Sequence, residues 1–152
     1  MSAERVFGGD PNERDRLAIR SRADGRLLQS SPNEVFNSEI RVFGSPWSDA
    51  IIIQDRTRFR VSHSDDLAAP PHVIRNDKRR DFTGIAFHPS GRYLAATSND
   101  ATVKLYDTTT WEVARTFTWN IGKMRSIAFS HDGTLAAAGS DTGKVVVWDV
   151  DV

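Results

Sequence analysis

The sequence predicts an all-β fold of four-stranded antiparallel sheets arranged as blades of a β-propeller, about three of them, an incomplete ring. Three observations carry this. Ile85-Ala86-Phe87 through Asp107 recurs without a gap as Ile127-Ala128-Phe129 through Asp149, a spacing of 42 residues. A period of about 40–45 residues with several short strands per unit marks a propeller blade. Within each copy, apolar residues alternate at period two over strand-length runs, separated by Gly-, Asn- and Asp-containing turns. The longest purely apolar runs, Ala50 to Ile53 and Val145 to Trp148, are strand-sized and far below the roughly 20 residues a membrane helix needs.

The elements follow in chain order. Residues 1–16 are rich in Gly, Pro and charge and are expected to be mobile. Residues 17–80 hold a degenerate blade or blades plus a connecting loop, and two registers are open. One uses Leu17-Ala18-Ile19, a turn at Ala23-Asp24-Gly25, Leu27-Leu28, Glu39 to Phe43 and then Ala50 to Ile53. The other uses Ile40 to Phe43, Ala50 to Gln54, Thr57 to Ser62 and His72 to Ile74. Ser64 to Pro71 is a loop in both.

Residues 81–119 form the clearest blade. Thr83 to His88 alternates, Pro89-Ser90-Gly91 turns with glycine at positive φ, and Arg92 to Ser98 returns. Asn99-Asp100-Ala101 reverses the chain into the β-branched run Thr102 to Tyr106, and Asp107 to Trp111 leads into Glu112 to Thr118. Residues 120–152 are the last blade, lacking its outer strand: Arg125 to Ser130, Thr134 to Ser140 and Lys144 to Val150, with turns at His131-Asp132-Gly133 and Asp141-Thr142-Gly143. Phe87, Phe129, Tyr106, Trp148 and the alanine pairs Ala95-Ala96 and Ala137-Ala138 are assigned to the core.

Composition narrows the function classes. Lys plus Arg and Asp plus Glu are 20 each, so no global charge steers the chain toward nucleic acid or an anionic membrane. The absence of cysteine excludes disulfides, thiolate metal sites and a cysteine nucleophile, and fits a reducing compartment; cytoplasmic localisation is expected. No apolar stretch at the start is long enough for a signal-peptide core, so export is not indicated.

The ordered combination of Ala86-Phe87, a turn glycine, a small-residue strand and the closing Val103-Lys104-Leu105-Tyr106-Asp107, matched by Val145-Val146-Val147-Trp148-Asp149, resembles the WD-repeat (WD40) β-propeller family. The structural repeat positions are Phe87, Gly91, Ser98, Asp100, Tyr106 and Asp107, then Phe129, Gly133, Ser140, Trp148 and Asp149. In this family a His, a Ser, a turn Asp and the Trp share a buried hydrogen-bond network. Here Ser98, Asp100 and Tyr106 fill three places, and the second copy has Ser140 and Trp148 but Thr142 for the Asp. The family's Gly-His pair is replaced by Asp77-Lys78 and Trp119-Asn120, so displaced polar groups must find other partners.

The resemblance further implies a C-terminal part of a larger propeller ending at Val152. It implies a non-enzymatic scaffold for protein–protein interaction through one loop face. Candidate partner-binding residues are Arg79, Arg80, Asn99, Trp119, Asn120, Lys123, Asp141 and Thr142. The partner is a protein or peptide, or the missing blades, with self-association open; no nucleic acid, membrane, cofactor or metal is expected. The alternative is an incomplete propeller fragment with no independent activity.

Rival motifs are weaker. Asp141-Thr142-Gly143 has the letters of an aspartic-protease triplet, which would need a dimer, but the repeat places it on the hairpin turn Asn99-Asp100-Ala101. Gly139 to Lys144 is one residue short of a phosphate loop and enters a strand. His63, His72, His88 and His131 show no close ligand spacing, and His88 and His131, flanking turns, are expected in solvent. Lys78-Arg79-Arg80 is read as a solvated run. Trp119 is either a wedge between blades or an exposed anchor.

Overall fold

A computed structural model describes residues 2–6, 16–20, 23–24, 26–30 and 40–151. Among these, fourteen strands form four antiparallel sheets, and the only helical piece is a 3-10 turn at Asp77–Arg79. No helix among the described residues is long and apolar enough to cross a membrane. The chain divides into two compact units, Met1–Asp55 with Phe59–Ile74, and Arg56–Arg58 with Arg75–Val152. Residues 7–15, Gly25, Glu39 and Val152, assigned above to the mobile segment, a turn, a strand and the propeller's end, lie outside the described residues.

In the first unit, β1 (Ser2–Val6), β2 (Arg16–Arg20) and β3 (Leu27–Ser30) pair in that order. β1 lies where patterning shows no strand. Its partner is β2, with Ala3 opposite Ile19, and such pairing is a tertiary contact that a count of apolar alternation over five residues does not register. The second sheet runs β4 (Arg41–Gly44), β5 (Ala50–Gln54), β6 (Arg58–His63), β7 (His72–Arg75). This is the second of the two registers. Its reason is burial: every residue of β5 is buried, as a continuous apolar run requires, and β5 gains this by pairing on both edges with β4 and β6 rather than serving as an outer strand. Ile51, Ile53 and Leu67 form a core cluster with Ile40 against it.

The second unit holds the two repeat copies. β8 (Phe82–Phe87), β9 (Tyr93–Ser98), β10 (Thr102–Asp107) and β11 (Val113–Thr118) make a four-stranded meander, and β12 (Met124–Phe129), β13 (Leu135–Ser140) and β14 (Val145–Asp149) a three-stranded one. The strands fall within a residue or two of the repeat's boundaries. Gly91 and Gly133 take φ of 74° and 77°, the left-handed conformation their turns were expected to need.

The two sheets stack through small residues. Ala95, Val103, Leu105, Met124 and Ala138 are buried together, with Phe117, Trp119, Phe129 and Trp148 packed against them. Tyr106 is buried as expected, whereas Phe87, Phe129 and Trp148 are only half-buried. Trp148 stands on β14, whose outer edge carries no paired strand among the described residues. A Cβ on Gly84 of β8 would stand 3.1 Å from the carbonyl oxygen of Arg125 on β12, so glycine there permits the close approach.

His88 corrects the sequence reading. It is buried, 7% exposed, because it reaches across to the second sheet: Nε2 donates to the carbonyl of Gly133 at 3.0 Å. Nδ1 accepts from the Ser90 N–H at 3.1 Å, and the ring stands edge-to-face with Phe129, the two ring centres 5.1 Å apart. His131, by contrast, is exposed as expected.

Candidate partner-binding loop face

In an antiparallel meander alternate loops emerge at the same end. The β9–β10 turn, the β11–β12 loop, the β13–β14 turn and the segment entering β8 therefore share one face of the second unit. Two equivalent clasps tie these loops. Asn99 N donates to Asp81 O (3.0 Å) while Asp81 N donates to Asn99 Oδ1 (3.1 Å); 42 residues on, Asp141 N donates to Lys123 O and Lys123 N to Asp141 Oδ1, both 2.9 Å. Asp141 also pairs with Arg125 at 3.7 Å. Its carboxylate is thus occupied in an exposed hairpin turn, as the repeat implies.

Beneath the face lies the polar network that the sequence predicted to be incomplete. In the first copy the vacancy is filled by Asn76, which is 4% exposed: its Nδ2 donates to Ser98 Oγ at 2.7 Å and its Oδ1 accepts from Asp77 N at 2.9 Å. Ser98 Oγ also accepts from Asp100 N, and Asp100 Oδ1 accepts from the N–H and hydroxyl of Thr102 at 3.0 and 2.6 Å. Burial opposes the charge on Asp100, but the Thr102 and Ser98 hydrogen bonds and the Lys104 ammonium hold its carboxyl below the usual range. Burial pushes the Tyr106 hydroxyl well up, with the Asp77 and Asp100 charges adding to it.

The buried Lys104 ammonium pairs with Asp77. Sequence reasoning passed over Asn76 and Lys104. The only signal for the former was an amide one position before the expected pair, and the latter reads as an ordinary outward strand residue. In the second copy Thr142 Oγ1 donates to Ile121 O at 2.6 Å and lies 2.9 Å from Ser140 Oγ. The buried Trp148 Nε1 is left without a hydrogen-bond partner.

Backbone strain concentrates at this face. Lys78, Arg79, Ala101 and Asn120 have φ of 49°, 55°, 72° and 52°; Trp111, at the opposite end, is the other non-glycine residue with positive φ among those described. Such conformations cost of order 1–3 kcal/mol each and cluster at ligand-contacting loops. Between the loops runs a groove of about 600 Å³. It brings together Arg80, Asn99 and Lys123 of the expected residues, with Lys78, Asp77 and Asp100 beside them.

Arg79, Asn120, Asp141 and Thr142 are exposed outside the groove. Trp119 points inward, its ring stacked on Phe117 at 5.6 Å and 4.5 Å from Trp148, the wedge rather than the anchor. In the first unit, ligand atoms of Asp49, His63 and Asp65 lie within 4.8 Å of one another, all three residues exposed. The His63 hydrogen bond holds the Asp49 carboxyl below its ordinary range despite some desolvation. A fold-dependent approach of this kind has no trace in residue spacing.

The family model for the WD domain, G-beta repeat, matches residues 71–107 and 111–149, half of the chain. The chain belongs to the WD-repeat family. Among curated relatives, this WD-repeat chain is 31% identical over 78 residues to pre-mRNA-processing factor 19 homolog 2 of Arabidopsis thaliana, covering 51% of the chain and 15% of that protein. It is 31% identical over 87 residues to the poly(A)+ RNA export protein of Schizosaccharomyces pombe, 56% of the chain and 23% of that protein. Pre-mRNA-processing factor 19 of Oryza sativa subsp. japonica is 30% identical over 78 residues, 51% and 15%. The matching stretch spans less than a quarter of the length of each relative.

Proposed function

We propose that this WD-repeat chain is a non-enzymatic interaction module whose loop face, at Lys78–Asp81, Asn99–Thr102 and Asn120–Lys123, docks a segment of a protein partner. The observation that carries the reading is the concentration of strained non-glycine residues around one open groove. The hydrogen-bonded clasps and the Asn76 network beneath supply a rigid floor, which lowers the ordering cost of binding. The names of the relatives refer to pre-mRNA processing and RNA export, and that process is not carried over; the interaction reading rests on WD-repeat membership and the loop face.

The test is to pan a random-peptide display library on the chain and map the selected peptides by amide chemical shifts. Shifts at Asn99, Ala101, Asn120 and Lys123 are expected. Shifts confined to the opposite end, at Gly91, Thr109 and Gly133, or failure to select any peptide, would sink the reading.

A second reading, in which the chain works only once further strands complete it, is favoured by the outer edge of β14, where no strand pairs among the described residues. A cooperatively folding monomer in light scattering would argue against it.

A further inference from the structure

We infer that the groove of the loop face takes an acidic peptide segment of the protein partner, an inference that rests on the loop-face reading and specifies its ligand. The chain is formally neutral, so any attraction must be local. The groove is where charge separates. Lys78, Arg80 and Lys123 line it, and their side chains make no ion pair among the described residues.

Of the two acids that share the groove, one is neutralised by a cation and the other stays charged. Asp77 is paired with the buried Lys104, and Asp100 is held by Thr102 and Ser98. Three cations, Lys78, Arg80 and Lys123, thus face the space against one unpaired carboxylate, Asp100, and the groove keeps a positive excess. Asn99 adds its side-chain N–H2, since only its Oδ1 is spent on the Asp81 clasp. Lys and Arg on a groove wall with a free amide donor match carboxylates spaced along an extended peptide.

Single-stranded RNA fits less well. Stacking on aromatic faces is the usual means of holding bases, and no aromatic residue lines the groove. The nearest indole in sequence, Trp119, is packed inward against Phe117 and Trp148.

Fluorescence anisotropy on the whole chain tests this with three labelled probes: a short peptide of alternating Glu and Ser, its Gln-Ser analogue, and an oligouridylate of equal length. The Glu peptide is expected to bind and the Gln analogue to bind at least about tenfold more weakly. Arg80→Glu with Lys123→Glu is expected to weaken the Glu peptide by about tenfold, the scale of two lost surface charge pairs and their reversal. Arg115→Glu with Lys144→Glu, an equal change of net charge outside the groove, should leave binding unchanged.

Thermal melts of both double variants establish that they fold. Equal loss in the two variants would reveal a global charge effect and overturn the inference, as would no binding of the Glu peptide or tighter, groove-dependent binding of the oligouridylate. If display-selected peptides shift the loop face but are neutral and indifferent to the groove reversal, the acidic ligand fails while the loop-face reading stands. If no peptide shifts that face, both fail.

Discussion

Gly133 answers to two separate constraints, and a neighbouring glycine lets them be separated. Its φ is +77°, and a Cβ placed on it would stand 2.5 Å from His88 Nε2. Gly143 has the same φ of +77° but nothing within 4 Å of the added atom. Left-handed strain alone costs a non-glycine residue about 1–2 kcal/mol. Gly143→Ala is therefore expected to lose about 1 kcal/mol in urea unfolding, and Gly133→Ala more than about 2 kcal/mol, because His88 must also give up its bond across the sheets. Equal losses in the two variants would show that His88 yields freely and does not join the two sheets. The turn glycine was legible from Asp132-Gly133 and its repeat partner Gly91. The histidine contact was not, because its partners lie 45 residues apart and only the stacking of one sheet on the next brings them together. Asn76 was missed for the same reason: its value comes from Ser98, 22 residues away.

Equivalent turns in the two copies are built from different chemistry, and pH distinguishes them. In the β12–β13 turn, Asp132 Oδ1 accepts from Ser130 Oγ at 2.6 Å and from the N–H and hydroxyl of Thr134 at 3.1 and 2.9 Å. These bonds, led by that of Ser130, pull its carboxyl down to about 2. The equivalent residue in the β8–β9 turn is Ser90, which bonds His88 and Arg92 and has no charge to lose. An unfolded Asp titrates near about 3.9. Because the folded value is the lower one, the turn's contribution is complete above about pH 4 and is lost as pH falls toward about 2. Circular dichroism across that window should show wild type losing stability more steeply than Asp132→Asn; parallel curves would mean that the carboxylate does not hold the turn. Elements whose own residues carry the pattern were legible in this way, strand by strand from β8 to β14. The register around β5 stayed open in the sequence because Ala50 to Ile53 is apolar on both faces, so alternation could not say whether it was central or outermost. Burial on both sides decided it.

For the molecule as a whole, the repeat's own arithmetic identifies what β14 lacks. In the first copy the third strand, β10, is flanked by β9 and β11; in the second, β14 pairs with β13 alone among the described residues. The groove on the loop face and this open edge were legible to different degrees. The edge followed from aligning the copies, whereas the groove depends on loop conformations such as those of Lys78 and Arg79 that no residue type announces. Val145 and Val147, which project from the same face of β14, are 68% and 60% exposed, while Val146 and Trp148 pack inward. An unpaired strand with valines exposed on it and no charge between Lys144 and Asp149 has none of the usual protection against edge-to-edge pairing. Wild-type protein is therefore expected to associate as its concentration rises. Replacing both valines, Val145→Lys with Val147→Lys, removes apolar burial of about 1–2 kcal/mol per side chain and places repelling charges on the edge. Sedimentation velocity should then show association weakened by tenfold or more. A wild-type chain that stays monomeric throughout, or a double variant that associates as before, would mean that the β14 edge does not drive association.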